Sequence, residues 1–196
     1  MKEELKKIQH ARSAKDFPHL DLEPDEYVVL HITRSKIGLV LIWLVVGACI
    51  FALSFALIFL SNHNSLSNTI FHINDAAIRY FRLIIFALYA IIFVAGFIAQ
   101  SVYRSNQMYI TNHRAIQKVR PSPFVNSTNI IQLSLIEDVS FRQNGIFDHL
   151  LQIGTLRMST AGDETTYTLT YIDTPHDEVK TISHLVYQNK PVKSRK

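Results

Sequence analysis

The sequence predicts an α+β membrane protein: a two-helix transmembrane hairpin, then a small antiparallel β domain that ends in an α-helix. Three observations carry this expectation. Positions 37–60 form a run of 24 residues without a charge and positions 83–103 another of 21. After Tyr103 short strands with period-2 patterning alternate with turn signals, and the last patterned segment is amphipathic at helical period. Of the 196 residues, 48% are hydrophobic and 18% charged, against about 25% charged in an average soluble domain. The net charge of +4 is spread thinly: residues 1–36 are balanced, and residues 104–196 hold eleven basic and eight acidic side chains. No segment is basic enough to expect nucleic acid as a partner.

Residues 1–24 read as an N-terminal polar arm. Leu5 and Ile8 can share a helix face, but Pro18 and Pro24 prevent a helix from continuing through the rest of the arm. Residues 25–36 hold a juxtamembrane strand, since Tyr27 to Ile32 is β-branched and aromatic. Left unpaired, so apolar a strand exposes a sticky edge, and it is therefore expected to join the β domain.

Residues 37–60 and 83–103 are the expected spans. At ~1.5 Å per residue they reach about 36 and 32 Å, enough for a hydrocarbon core of ~30 Å. The first is longer than the apolar region of a cleaved signal peptide and reads as a signal anchor. Charges sit at the ends: Arg34 and Lys36 before the first span, Arg79 and Arg82 before the second, Arg104 after it. Two basic residues before the first span and four after the second (Arg104, Arg114, Lys118, Arg120) outweigh two in the loop. The expected placement is thus a two-span protein of the cell membrane with both termini cytoplasmic and residues 61–82 as an outer loop. Ala48, Ala52 and Ala56 on one span and Ala95 and Ala99 on the other offer a small-residue packing stripe. Neither span carries a mid-membrane charge, which disfavours a transporter.

Residues 104–190 are the expected β domain and residues 191–196 a basic tail. Met108 to Thr111 and Ala115 to Val119 flank a tight turn at Asn112-His113-Arg114. Pro121, Pro123 and Asn126 to Asn129 read as a loop. Ile131, Leu133 and Leu135, then Val139 and Phe141, alternate with polar residues. Asn144-Gly145 marks a turn, Ile146 to Ile153 a helical turn, and Ala161 to Glu164 the turn of a second hairpin. Thr174 as cap, Pro175 at the first position and Asp177 and Glu178 in the first turn start the final helix. Its apolar stripe is Val179, Ile182, Leu185 and Val186.

The order of these motifs resembles the bacterial membrane-flanked PH (pleckstrin-homology-like) domain family. The resemblance is carried by Tyr109-Ile110-Thr111-Asn112-His113-Arg114, similar to the family's tyrosine-x-threonine-asparagine-x-arginine hairpin. It continues through Ile131-x-Leu133-x-x-Ile136-x-x-Val139, Gly154-x-Leu156-x-Met158 and the Pro175 helix start. It covers Arg34 to about Gln188 and implies a PH-like antiparallel β-barrel of about seven strands, capped at one end by the C-terminal α-helix. PH-like domains often bind anionic headgroups near the first hairpin, so Arg104, Arg114, Lys118 and Arg120 are the candidate headgroup-facing residues.

No catalytic, cofactor or metal site is expected. Cys49 is the single cysteine, which excludes an internal disulfide and CxxC chemistry. Nine histidines show no paired ligand spacing: His63 and His72 share the loop with Asp75, and His113, His149, His176 and His184 are scattered. Asp148-His149 lacks a nucleophile elbow, no glycine loop cradles phosphate, and Asn126-Ser127-Thr128 is a glycosylation acceptor silenced by cytoplasmic placement. The expected function is a non-catalytic, membrane-anchored PH-like module that binds a protein or assembles at the inner face of the membrane. The alternative is an anionic-lipid headgroup sensor acting through the basic first hairpin. Membrane lipids and a protein partner or self-association are the expected partners.

Overall fold

A computed structural model describes residues 2–62, 75–160, 166–173 and 176–190. The chain divides into two compact units: Gly38–Ser101, and a second unit that joins Met1–Ile37 to Val102–Lys196. In chain order the elements are α1 (Lys2–Asp16), β1 (Val28–Thr33), α2 (Lys36–Asn62), α3 (Asp75–Ser105), β2 (Gln107–Thr111), β3 (Arg114–Ser122) and β4 (Val125–Gln132). A 3-10 turn (Leu133–Leu135) leads to β5 (Ile136–Arg142), α4 (Ile146–Leu150), β6 (Ile153–Thr160), β7 (Thr166–Asp173) and α5 (His176–Asn189).

The inserted unit is built from α2 and α3. Lys36–Ile58 and Arg82–Ser105 are each long and apolar enough to cross a membrane. The expected outer loop shrinks, because α3 already begins at Asp75; residues 63–74, with His63 and His72, lie outside the described residues. The alanine stripe is corrected, since Ala48, Ala52, Ala56, Ala95 and Ala99 are all exposed. The seam uses Gly96 instead, where a Cβ would come within 2.8 Å of Val46 Cγ2. Polar pairs flank it: Trp43 Nε1 donates to Gln100 Oε1 at 2.6 Å, and the Ser54 and Tyr89 hydroxyls are 2.8 Å apart. A small residue that lets a large side chain approach closely, with polar side chains paired across the seam, is a way in which apolar helices associate in lipid.

The second unit holds two antiparallel sheets, ordered β1-β2-β3-β4 and β5-β6-β7. The single closed barrel is therefore corrected: Leu133 at the start of the 3-10 turn and Ile136 directly after it are fully buried, and this turn ends the first ladder and starts the second. Among the described residues no strand pairing joins the two sheets. A common core lies between them, drawn from Met108, Ile110, Ala115 and Ile131 on one side and Leu156, Met158, Leu169 and Ile172 on the other. Ile182 and Val186 of α5 enter it, flanked by Val179 and Leu185, as their i, i+3, i+4 spacing dictates. Thr174 and Pro175, the Ala161 to Glu164 turn and residues 191–196 lie outside the described residues.

The domain is discontinuous, which corrects its expected start at residue 104. β1 pairs with β2 over Thr33↔Gln107 to Val28↔Thr111, with one extra residue, Val29, on the β1 side. That bulge resets the alternation. Leu30 and Ile32 face the main core, while Val28 packs on the opposite face. The polar arm expected over residues 1–24 is folded: α1 and the turn after it bring Phe17, Leu20 and Leu22 onto Tyr109 and Ile116. The loop expected at Asn126 to Asn129 is strand β4, paired with Gln117 to Val119. It is an exposed edge, where polar side chains face water while the backbone still completes the ladder. Pro121 falls at the irregularity between Val119 and Ser122, where no ladder N–H is required.

Candidate binding site at the first hairpin

The turn Asn112-His113 reverses the chain between β2 and β3, and its side chains clamp the segment ahead of β1. Asn112 Oδ1 accepts the Tyr27 N–H at 3.0 Å, and its Nδ2 donates to the Asp25 carbonyl at 3.0 Å. Thr111 Oγ1 donates to Glu26 Oε1 at 2.7 Å and accepts the Arg114 N–H at 3.0 Å. Arg114 grips Glu26 with two donors, Nε to Oε1 at 2.8 Å and Nη2 to Oε2 at 2.7 Å. The Glu23 N–H adds a bond to Oε2 at 3.0 Å.

The Glu26 side chain is 1% exposed and that of Arg114 19%. Burial pushes the Glu26 carboxyl pKa upward, but the donors of Arg114, Thr111 and the Glu23 backbone outweigh it and hold it below the usual carboxylate range. The threonine and arginine of the hairpin motif thus close a latch on one buried carboxylate 85 and 88 residues earlier in the chain, while the asparagine holds the backbone on either side of it. Sequence reasoning missed Glu26. Its one signal is an acidic residue immediately ahead of an apolar strand, and nothing in the sequence pairs it with Arg114.

The four candidate basic residues occupy different settings. Arg104 is exposed at the end of α3. Arg114 is committed to Glu26. Lys118 is half-buried over the Tyr109 ring, 5.9 Å from its centroid, and burial lowers its pKa. Arg120 donates through Nη2 to the Pro123 carbonyl at 2.7 Å, and its buried Nε has no hydrogen-bond partner among the described residues. Two clefts border Arg114. One, of about 590 Å³, is lined by His10, Leu20, Asp21 and Glu23. The other, of about 400 Å³, is lined by Glu26, His113, Gln132 and Asn189. Both mix acidic and basic walls. Among the described residues no group of three or more His, Cys, Asp or Glu is placed to hold a metal ion.

A second cluster secures the ends of the insertion. The Tyr103 hydroxyl donates to the Ser35 carbonyl at 2.9 Å, and the Arg34 guanidinium lies 5.2 Å from the Tyr103 ring centroid. Arg34 Nη2 also donates to Thr170 Oγ1 at 3.2 Å, and burial lowers the Arg34 pKa. Tyr171, the bulged residue of β7 with φ +58°, accepts the Ser35 N–H on its carbonyl.

Two sheets, a terminal helix and a latched first hairpin define an α+β domain of PH-like type. The family model of the bacterial PH domain matches residues 28–187, from the first residue of β1 into α5. The chain belongs to the bacterial PH domain family. Among solved structures it is similar to a DUF1696 family protein with a pleckstrin-homology domain from Shewanella loihica PV-4. The identity is 16% and the TM-score 0.33, over 44% of this chain and 71% of that one. No curated protein matches.

Proposed function

We propose that the chain is a membrane-anchored, non-catalytic binding module in which a PH-like domain at the cytoplasmic face engages a protein partner or a second copy. The membership in a PH family supports a binding role in general. Two helices of spanning length and the six-against-two basic distribution support the anchor and its orientation. The observation that carries a protein over a headgroup as ligand is the internal commitment of the basic hairpin, above all Arg114 on Glu26. What the domain offers outward is the eight-residue strand β4, a sheet edge exposed along most of its length. Such an edge accepts an added strand through its free backbone groups.

The test is site-specific photo-crosslinking in native membranes from Ser127 on β4 and from Arg104, followed by mass spectrometry. Protein adducts from Ser127 are expected. Lipid adducts alone, abolished by Lys118→Glu with Arg120→Glu, would replace this reading with the headgroup sensor.

A further inference from the structure

Among the described residues, four of the five most exposed apolar side chains of the two-sheet unit gather on two connections, the fifth being Tyr187 on α5 (80%). Phe124 (95% exposed) and Val125 (51%) stand at the β3–β4 turn, and Ile146 (85%), Phe147 (76%) and Leu150 (74%) on α4. A loop residue and a one-turn helix so exposed bury little apolar surface against the described residues.

The strand registers place both connections at one end of the unit. In the first sheet Thr33 and Lys118 pair with Gln107, so β3 runs on past the start of β2. There the Arg120 N–H donates to Asn106 Oδ1 at 2.9 Å, and Asn106 Nδ2 donates to the Val102 carbonyl at 2.7 Å. The β3–β4 turn therefore projects at the level where α3 ends. In the second sheet Arg142 pairs with Thr155 and Gly154 with Ile172, so α4 springs from the end that holds Tyr171. Tyr171 accepts the N–H of Ser35, the residue immediately before α2. Both apolar groups thus flank the point where the chain leaves for α2 and returns from α3. The opposite end carries the Asn112 turn, whose carbonyl accepts Asn189 Nδ2 at 3.1 Å.

We infer that Phe124, Val125, Ile146, Phe147 and Leu150 form a split apolar foot that enters the interfacial layer of the bilayer and fixes the domain's orientation on it. The inference rests on the proposed membrane anchor. Given that anchor, the occupant is set by continuity: the chain leaves this unit for the first apolar helix after residue 35 and re-enters it before residue 105, at the end that carries the foot, so that end is the one tethered to the bilayer. Aromatic and aliphatic side chains settle ~5–10 Å into the headgroup–acyl boundary. Arg104 and Arg142, both exposed, lie at the same end and suit anionic headgroups; Asp148, Asp173 and Glu178 are acidic groups there among the described residues.

The test uses the full chain in vesicles made with or without brominated acyl chains. Trp43, the single tryptophan, reports on the anchor itself. In a Trp43→Phe background, Phe124→Trp and Phe147→Trp should be quenched by the brominated lipid and shielded from aqueous iodide. Tyr187→Trp, exposed on α5, should show the reverse. Leu150→Trp replaces either variant if it does not fold. Quenched Trp43 with iodide-accessible tryptophans at 124 and 147 would overturn the foot while leaving the anchor intact. Shielding from iodide without lipid quenching would assign the patch to a protein and overturn it too. An unquenched Trp43 would remove the membrane anchor and the foot together.

Discussion

Glu26 and Arg114 show at the residue scale how far a motif's meaning depends on a partner distant in sequence. Removing Arg114 strands a carboxylate that is almost fully enclosed, whereas removing the carboxylate leaves a guanidinium with some access to water. Arg114→Ala should therefore cost about 3 kcal/mol, and Glu26→Gln clearly less, in matched urea titrations. The carboxyl pKa is lowered in the folded protein. The stabilisation from ionised Glu26 is thus fully present above the ordinary carboxylate value and is lost as the pH falls through the lowered folded value. Acid titration of wild type and Glu26→Gln should show their stability gap closing on that limb. A gap that stays constant down to the acid transition would show that the latch does not depend on the charge of Glu26.

At the scale of elements, glycine marks where two segments approach too closely for a side chain. A Cβ on Gly154 would lie 2.6 Å from the Arg142 carbonyl oxygen and press on the Phe141 ring, whereas Gly47 has nothing within 4 Å. Gly154→Ala should destabilise by about 1–3 kcal/mol, and Gly47→Ala should leave the melting temperature essentially unchanged. The segment ahead of β1 is an element of the same kind of necessity, because it covers Tyr109 and Ile116 on the outer face of the first sheet. Deleting residues 1–22 should lower the melting temperature and raise binding of a hydrophobic dye. An unaltered melt would show that this face is stable without its cover.

For the whole molecule, the central fact is that an apolar hairpin interrupts a folded domain between its first and second strands. The Tyr103–Ser35 hydrogen bond ties the two crossing points together within the domain, which leads us to expect that the domain folds without the insertion. Replacing residues 38–101 by a short Gly-Ser linker should yield a folded, monodisperse protein. Residues 104–196 alone lack β1 and the latch and should aggregate; cooperative unfolding of that fragment would contradict the discontinuous domain. Orientation is checked by cysteine labelling in a Cys49→Ser background. A cysteine at Ser65 should react from outside intact cells and one at Ser194 should not.

Much of this architecture is present in local pattern. The uncharged runs, the hairpin around Asn112, the period-2 strands β5 to β7 and the stripe Val179, Ile182, Leu185 and Val186 are set by which side chains avoid water, and that preference is written residue by residue. That β1 joins the β domain is equally legible, since an apolar strand left unpaired exposes an edge, whereas its pairing with β2 came from the tertiary structure. What tertiary structure alone decided concerns long-range partnership. The Glu26 latch and Gly96 rather than alanine in the helix seam each depend on a neighbour many positions away, whereas β4, where Asn126 to Asn129 read as loop, pairs with the strand just before it and was hidden by its polar composition. The opening of the expected barrel into two sheets belongs with the latch and the seam, because it turns on how Leu133 and Ile136 seat in a core built from both. Hydrophobic periodicity encodes burial and carries no information about which buried or half-buried groups meet. Complementary charge, backbone satisfaction and steric fit make that choice, and they act only once the chain has brought distant residues within a few ångströms of each other.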